Sequence, residues 1–169
     1  MTGSASLSRL TLAHTADGSL VLRVEGRAAM RDSVVVRHTA EHVIGDEKRS
    51  LVLDLSGCTH ADSTFLGDLI GLHKEFGTGA EARLTIAAPS QACRDEFKIN
   101  HLDSMLQIVD RAPEPTDQGV TLAVPEVPLR ELGEHVLQAH QHLAEEDVPN
   151  AKAYRAIVER IARALKKSV

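Results

Sequence analysis

The strongest constraint on the fold lies near the middle of the chain, where two hydrophobic patterns follow each other. Residues 51–55 (LVLDL) form a nearly continuous apolar run, which predicts a central strand buried on both faces of a parallel sheet. From Ser63 to Phe76 the apolar side chains recur at helical spacing, and Gly77 and Gly79 end the pattern. A buried strand joined to an amphipathic helix predicts an α/β fold with helical crossovers.

Weaker patterns on both sides predict the rest of the sheet. Residues 20–24 alternate in hydrophobicity and predict a half-buried strand that Gly26 ends. A second strand at 10–13 precedes it, with Asp17-Gly18 as the hairpin turn. Further strands are predicted at 84–88 and 106–108.

Two more helices are expected between these strands. Ser33 predicts the N-cap of a helix that runs to Ile44, and Gly45 predicts its end. Ser90 and Gln91 open a short helix before the last strand. The alternation of strands and helices then continues to about residue 110.

The C-terminal part has a different character. Residues 111–127 are rich in proline and predict a linker, within which 120–124 can add an edge strand. Residues 128–169 carry two apolar stripes at helical spacing, separated by Glu145–Asn150, and predict a helical hairpin. The expected organisation is therefore a domain at 1–110, a linker and the hairpin. The hairpin has three open roles: forming a homodimer, covering the sheet, or binding a separate effector.

Charge and composition restrict the partners. A net charge of −5 makes the chain a poor non-specific ligand of nucleic acid or anionic membrane, and the aromatic fraction of 2% argues against stacking on bases. No apolar run approaches the roughly 20 residues of a membrane span, and Met1–Ser8 lacks an apolar signal core. We therefore expect a cytoplasmic protein without membrane insertion. Cys58 and Cys93 are expected to be reduced and buried.

The segment after the central strand carries the most specific signal. The run Asp62-Ser63-Thr64-Phe65-Leu66-Gly67 follows the apolar strand with its Asp54, and it resembles the motif of the sulphate transporter and anti-sigma-factor antagonist (STAS) domain. The resemblance covers roughly residues 7–110. It implies a mixed four- to five-stranded sheet packed by helices, here followed by the C-terminal helical hairpin. The sequence departs from the family at Phe65, where a Gly is usual; this side chain either fills the core or changes which partner docks.

The resemblance also implies a function. Members of the antagonist type are binding modules rather than enzymes, have no cofactor, and bind an anti-sigma factor that is a serine kinase. By this likeness, phosphorylation of Ser63, with Thr64 as the second choice, dissociates the complex, and a PP2C-type phosphatase reverses it.

The residues themselves agree with a docking surface at the start of the predicted helix. Ser63 lies where helix amides lack partners, and its hydroxyl is expected to be exposed enough for a kinase. Counting by four from Ser63 gives Gly67 and Gly71, a ridge without side-chain bulk that another backbone can approach closely. The expected partner-binding residues are Asp62, Ser63, Thr64, Gly67, Asp68 and Gly71.

Several of these residues also have less specific, purely structural interpretations. Ser63 or Asp62 can serve only as a helix cap. Asp54 is expected to anchor the loop above it, since no acidic pair after the first strands supports a phosphoacceptor role. The histidines at 38, 42, 135, 140 and 142 are interpreted as solvated rather than metal-binding.

Other functional classes stay open. One is a STAS scaffold or accessory module of a stressosome or transport complex without phospho-switching. Another is a small α/β enzyme or nucleotide binder, although no nucleophile elbow or phosphate-binding loop is present. A redox role of Cys58 is a further alternative to burial.

Overall fold

A seven-stranded sheet forms the centre of the computed structural model, which describes residues 8–168; most of Met1–Ser8 lies outside the described residues. The strand order is β6-β5-β3-β2-β1-β7, and β4 pairs with β2 beside this path. The sheet has more strands than the four or five that were expected. The strands are β1 (Arg9–His14), β2 (Leu20–Ala28), β3 (Leu51–Asp54), β4 (Cys58–Ala61), β5 (Leu84–Ala87), β6 (Ile108–Val109) and β7 (Val120–Leu122).

Five α-helices accompany the sheet, and α1 continues into a π-helical turn at Glu41–Asp46. They are α1 (Met30–Ala40), α2 (Ser63–Phe76), α3 (Gln91–Ile99), α4 (Leu129–Ala144) and α5 (Ala151–Lys167). None of the helices within residues 8–168 combines the length and apolarity that crossing a membrane requires.

The central position of β3 is confirmed. It pairs in parallel with β2 on one side and β5 on the other, and Leu51 and Leu53 are fully buried. Asp54 at its end is 1% exposed, pairs with Arg23 at 2.9 Å, and accepts a hydrogen bond from the Ser56 amide. Asp54 therefore anchors the following loop, as the structural interpretation predicted.

Three local predictions are wrong. Gly45 does not end the first helix, because the π-helical turn continues through it to Asp46. The second strand does not end at Gly26 but continues to Ala28, because residues 26–28 pair with β4. Gly26 takes a φ of 81° where the register of this pairing shifts. Ser33 is not an N-cap, because α1 already begins at Met30. The neighbouring Asp32 accepts from the Ala29 amide at 2.9 Å, and the Ser33 hydroxyl donates to the Met30 carbonyl.

The C-terminal hairpin packs on the helices of the same chain rather than on the sheet. Strand β7 adds to β1 as the predicted edge strand, and an almost fully exposed segment, 123–128, leads to α4. Helices α4 and α5 pack closely, with Gly133 against Leu165, and α4 lies along α2 with a smaller contact to α1. The homodimer through the hairpin stays a prediction, as does the division of the chain at 110 and 128.

Candidate functional site

At the start of α2, three residues of the motif have three different structural roles. Asp62 is the N-cap: its Oδ1 accepts a hydrogen bond from the Phe65 amide at 2.8 Å. Ser63 is the first residue of the helix, so its hydroxyl is not needed by the helix amides. Phe65 points into the core and is 1% exposed, so the large side chain at this position fills the interior. Of the two capping interpretations, the one for Asp62 is confirmed and the one for Ser63 is wrong.

The Ser63 hydroxyl instead contacts the C-terminal hairpin. Its Oγ lies 2.9 Å from Nε2 of His140, while Nδ1 of this imidazole lies 2.8 Å from the Val136 carbonyl oxygen. A carbonyl only accepts, so Nδ1 carries a proton; in the neutral tautomer that this contact selects, Nε2 accepts a hydrogen bond from the Ser63 hydroxyl. Ser63 is half-buried in this arrangement, and accessibility of its hydroxyl to a kinase stays a prediction.

The glycine ridge of α2 lies directly under α4. A Cβ atom built at Gly67 would overlap the carbonyl oxygen of Ala139, and one built at Gly71 would lie 2.5 Å from Nε2 of His142. Only glycine permits this approach of two helices. The close contact that the sequence predicted for a partner protein is thus made by the chain's own α4.

A buried charged cluster flanks the ridge. Asp68, 2% exposed, lies 3.3 Å from Nε of Arg37 on α1 and 2.6 Å from Nε2 of His135 on α4. His135 also lies 2.8 Å from the Ser33 hydroxyl. The cluster therefore joins α1, α2 and α4 through one carboxylate. At the edge of the contact, Lys74 and Glu146 form an ion pair.

Of the six predicted partner-binding residues, Ser63, Gly67, Asp68 and Gly71 contact α4. Thr64, the second choice of phosphoacceptor, is 4% exposed, and Gly67, Asp68 and Gly71 are buried. Asp62 and Ser63 are only half-buried. The structure therefore brings four of the six residues together beneath α4.

The histidines of α4 are the functional candidates that the sequence analysis missed. His140 is 5% exposed, and His135 and His142 are half-buried, so the interpretation as solvated residues is wrong for these three. A usable signal was present: His135 and His140 fall within the same helical stripe as Leu132 and Ala139. Polar residues within an apolar stripe indicate a contact with polar partners.

Metal binding and a reactive Cys58 thiol are two further possibilities for this part of the chain. Within residues 8–168, no group of three or more histidine, cysteine or acidic side chains is arranged to hold a metal ion. Cys58 and Cys93 are both free and buried, and Cys58 lies just before the motif. Its contact with Cys93 and its burial raise the pKa of the Cys58 thiol, which disfavours the reactive thiolate.

Comparison with known proteins adds the following findings. The family model described as "Mlab, STAS domain" matches residues 12–109. A solved structure of the anti-sigma factor antagonist SpoIIAA in its unphosphorylated form aligns over 59% of this chain and 86% of its own, with 17% identity and a TM-score of 0.47. No curated protein sequence matches the chain significantly.

Proposed function

The chain belongs to the STAS domain family, and we propose that it is an anti-sigma-factor antagonist switched by phosphorylation of Ser63. In this proposal the protein is a cytoplasmic binding module without cofactor. The unphosphorylated form binds an anti-sigma factor that is also a serine kinase. Phosphorylation dissociates the complex, and a PP2C-type phosphatase restores the binding form.

One observation supports Ser63 in particular: its hydroxyl is at the N-terminus of α2 but is not used to cap it. Asp62 takes that role, and the Ser63 oxygen contacts His140 across the contact with α4. A phosphate at this position lies at the positive end of the helix dipole, so α2 tolerates it. The change then acts on the docking partner rather than on the fold.

The loss of partner affinity on phosphorylation can be estimated from electrostatics. A phosphoserine carries about −1.5 to −2 charges, and the Asp62 carboxylate is next to it. At an effective dielectric near 20, one acidic group of the partner at about 6 Å costs roughly 4–6 kcal/mol before salt screening and on the order of 1–3 kcal/mol at physiological ionic strength. That corresponds to about a ten- to hundredfold loss of affinity.

The test uses the candidate anti-sigma kinases of the source organism, produced individually and measured for binding by calorimetry. Ser63→Asp is expected to lose at least about tenfold in affinity relative to Ser63→Ala, with an unchanged far-ultraviolet circular dichroism spectrum. Ser104→Asp is the matched control, because it adds the same charge on an exposed turn between α3 and β6. Equal binding by Ser63→Asp and Ser63→Ala would refute the switch.

A second candidate function has its own observation. The Ser63 hydroxyl is engaged by His140 and Thr64 is buried, which favours a STAS scaffold or accessory module of a stressosome or transport complex without phospho-switching. Phosphoprotein mass spectrometry of the protein from its native cells separates the two. A phosphate on Ser63 supports the antagonist, and its absence under every growth condition supports the accessory module.

A further inference from the structure

The hairpin covers the surface that the proposed function requires to be free. Helix α4 occupies the ridge of Gly67 and Gly71, and His140 bonds the Ser63 hydroxyl. In the closed form, a partner helix cannot reach the glycine ridge, and the Ser63 hydroxyl is engaged by His140. The closed form and the partner-bound form therefore exclude each other.

The contact between α4 and the ridge differs from a permanent core. The contacts on the α2 side include a hydroxyl, two glycines and a carboxylate, and those on the α4 side include the Ala139 backbone and three imidazoles. Contacts of this polar kind are typical of separable interfaces within a chain. Leu143 near the end of α4 and Tyr154 in the first turn of α5 join the hydrophobic core and form an apolar anchor.

The hairpin has an internal contact of its own and lies outside the family match. Helices α4 and α5 pack their apolar stripes on each other, and the family match ends at residue 109, before the hairpin begins. The exposed segment 123–128 connects the hairpin to β7. A short tether keeps a detached hairpin near its site at an effective concentration on the order of millimolar.

We infer that the α4–α5 hairpin is an autoinhibitory element that competes with the anti-sigma factor for the α2 ridge. The identity of the competitor rests on the proposed function; the occlusion itself rests on the contacts above. If the open form is about 1% of the molecules, the partner binds about a hundredfold more weakly than to an open variant. Kinase access to Ser63 is reduced by the same fraction.

The first experiment measures opening without any partner. The full chain carries Ser63→Cys, and the rate of modification by Ellman's reagent is compared with and without Ala139→Glu, which places a carboxylate against Gly67. Gln141→Glu is the matched control, because it creates the same side chain on the exposed side of α4. We expect Ala139→Glu to raise the rate at least about tenfold and Gln141→Glu to leave it unchanged. Equal, fast rates in all three proteins overturn the inference.

A second experiment measures opening of the hairpin in a chain that keeps its native Ser63. Hydrogen exchange of the chain with native Ser63 is expected to accelerate in Ala139→Glu over residues 63–72 and 135–143, while β3 stays protected. If Ala139→Glu also exposes β3, the milder His135→Ala variant, which removes the contact with Asp68, decides the question. An unchanged exchange rate over 63–72 in His135→Ala then overturns the inference.

The partner experiment separates this inference from the proposed function. An anti-sigma factor that binds Ala139→Glu at least about tenfold more tightly than Gln141→Glu supports both. Equal binding of the two variants overturns autoinhibition and leaves the antagonist function standing. Absence of binding by both, together with accelerated labelling in Ala139→Glu, refutes the antagonist function and retains the occlusion of the ridge.

Discussion

The two faces of α2 follow opposite physical rules. The inner face carries Phe65, Leu66, Leu69 and Ile70, each about 1% exposed, and packs against the sheet. The outer face carries Ser63, Asp68 and the two glycines, and packs against α4. The inner face gains stability from apolar burial, whereas the outer face gains a close backbone approach and specific polar contacts.

This difference indicates which face is available for regulation. An apolar face cannot leave its contact without exposing a large hydrophobic area to water. A face of glycines and hydrogen-bonded polar groups exchanges protein partners for water at a much smaller net cost. The comparison predicts that substitutions on the inner face unfold the domain, while those on the outer face release only the hairpin.

The largest effect is expected on the inner face. Phe65→Ala removes a buried aromatic side chain and leaves a cavity, so the free energy of unfolding should fall by about 3–5 kcal/mol. Urea denaturation followed by circular dichroism measures this loss. The half-buried Phe76 at the end of the same helix is the control, and Phe76→Ala should cost clearly less. Equal losses would contradict the assignment of Phe65 to the core.

An intermediate effect is expected from a substitution on the outer face, which should destabilise the docking of α4 but stabilise the α2 helix. Gly67→Ala pushes α4 away, at a cost to docking of about 1–3 kcal/mol for overpacking. The same change favours the α2 helix itself by up to about 1 kcal/mol. Hydrogen exchange should therefore accelerate in α4 while the sheet stays protected. Gly45→Ala is the control, since a Cβ atom there meets no neighbour within 4 Å. Loss of protection in the sheet would show that the two faces are not separable.

Sequence patterns predicted the inner face well because apolar burial leaves a periodic signal. The strand at 51–55, the helix at 63–76 and both helices of the hairpin were found from hydrophobic spacing alone. The motif at 62–67 correctly indicated the STAS family. Short elements were missed: β4 is a four-residue strand of mixed polarity, CTHA, in what looked like a polar loop.

The outer face was only half predictable. A bare glycine ridge indicates that something approaches closely, but the signal is the same whether that neighbour is another protein or a later part of the same chain. The spacing of Gly67 and Gly71 carries no information about α4, which follows about 60 residues later. The same holds for Asp68, whose partners Arg37 and His135 come from distant positions.

The smallest effect is expected from pH, and it concerns the outer face alone. Burial and the positive charge of Arg37 lower the pKa of His142, although the carboxylates of Asp68 and Glu145 act in the opposite direction. Because its pKa is lower in the docked hairpin, His142 binds fewer protons there than in a detached hairpin. Docking should therefore weaken as the pH falls below the ordinary histidine value of about 6.5 and be insensitive to pH above it.

This dependence is measured by labelling Ser63→Cys with Ellman's reagent between pH 5.5 and 7.5. The labelling rates are corrected for the ionisation of the thiol, and the corrected rate is expected to rise on the acid side. His142→Gln should flatten the rise, because the remaining side chain does not titrate. His42→Gln is the control, since His42 is exposed on the π-helical turn, away from α4. Buried His73, whose pKa is also lowered, lies on α2 and is present in every variant, so it cannot account for a difference between them. A corrected rate that falls on acidification would contradict the predicted direction, because the hairpin would then close rather than open in acid.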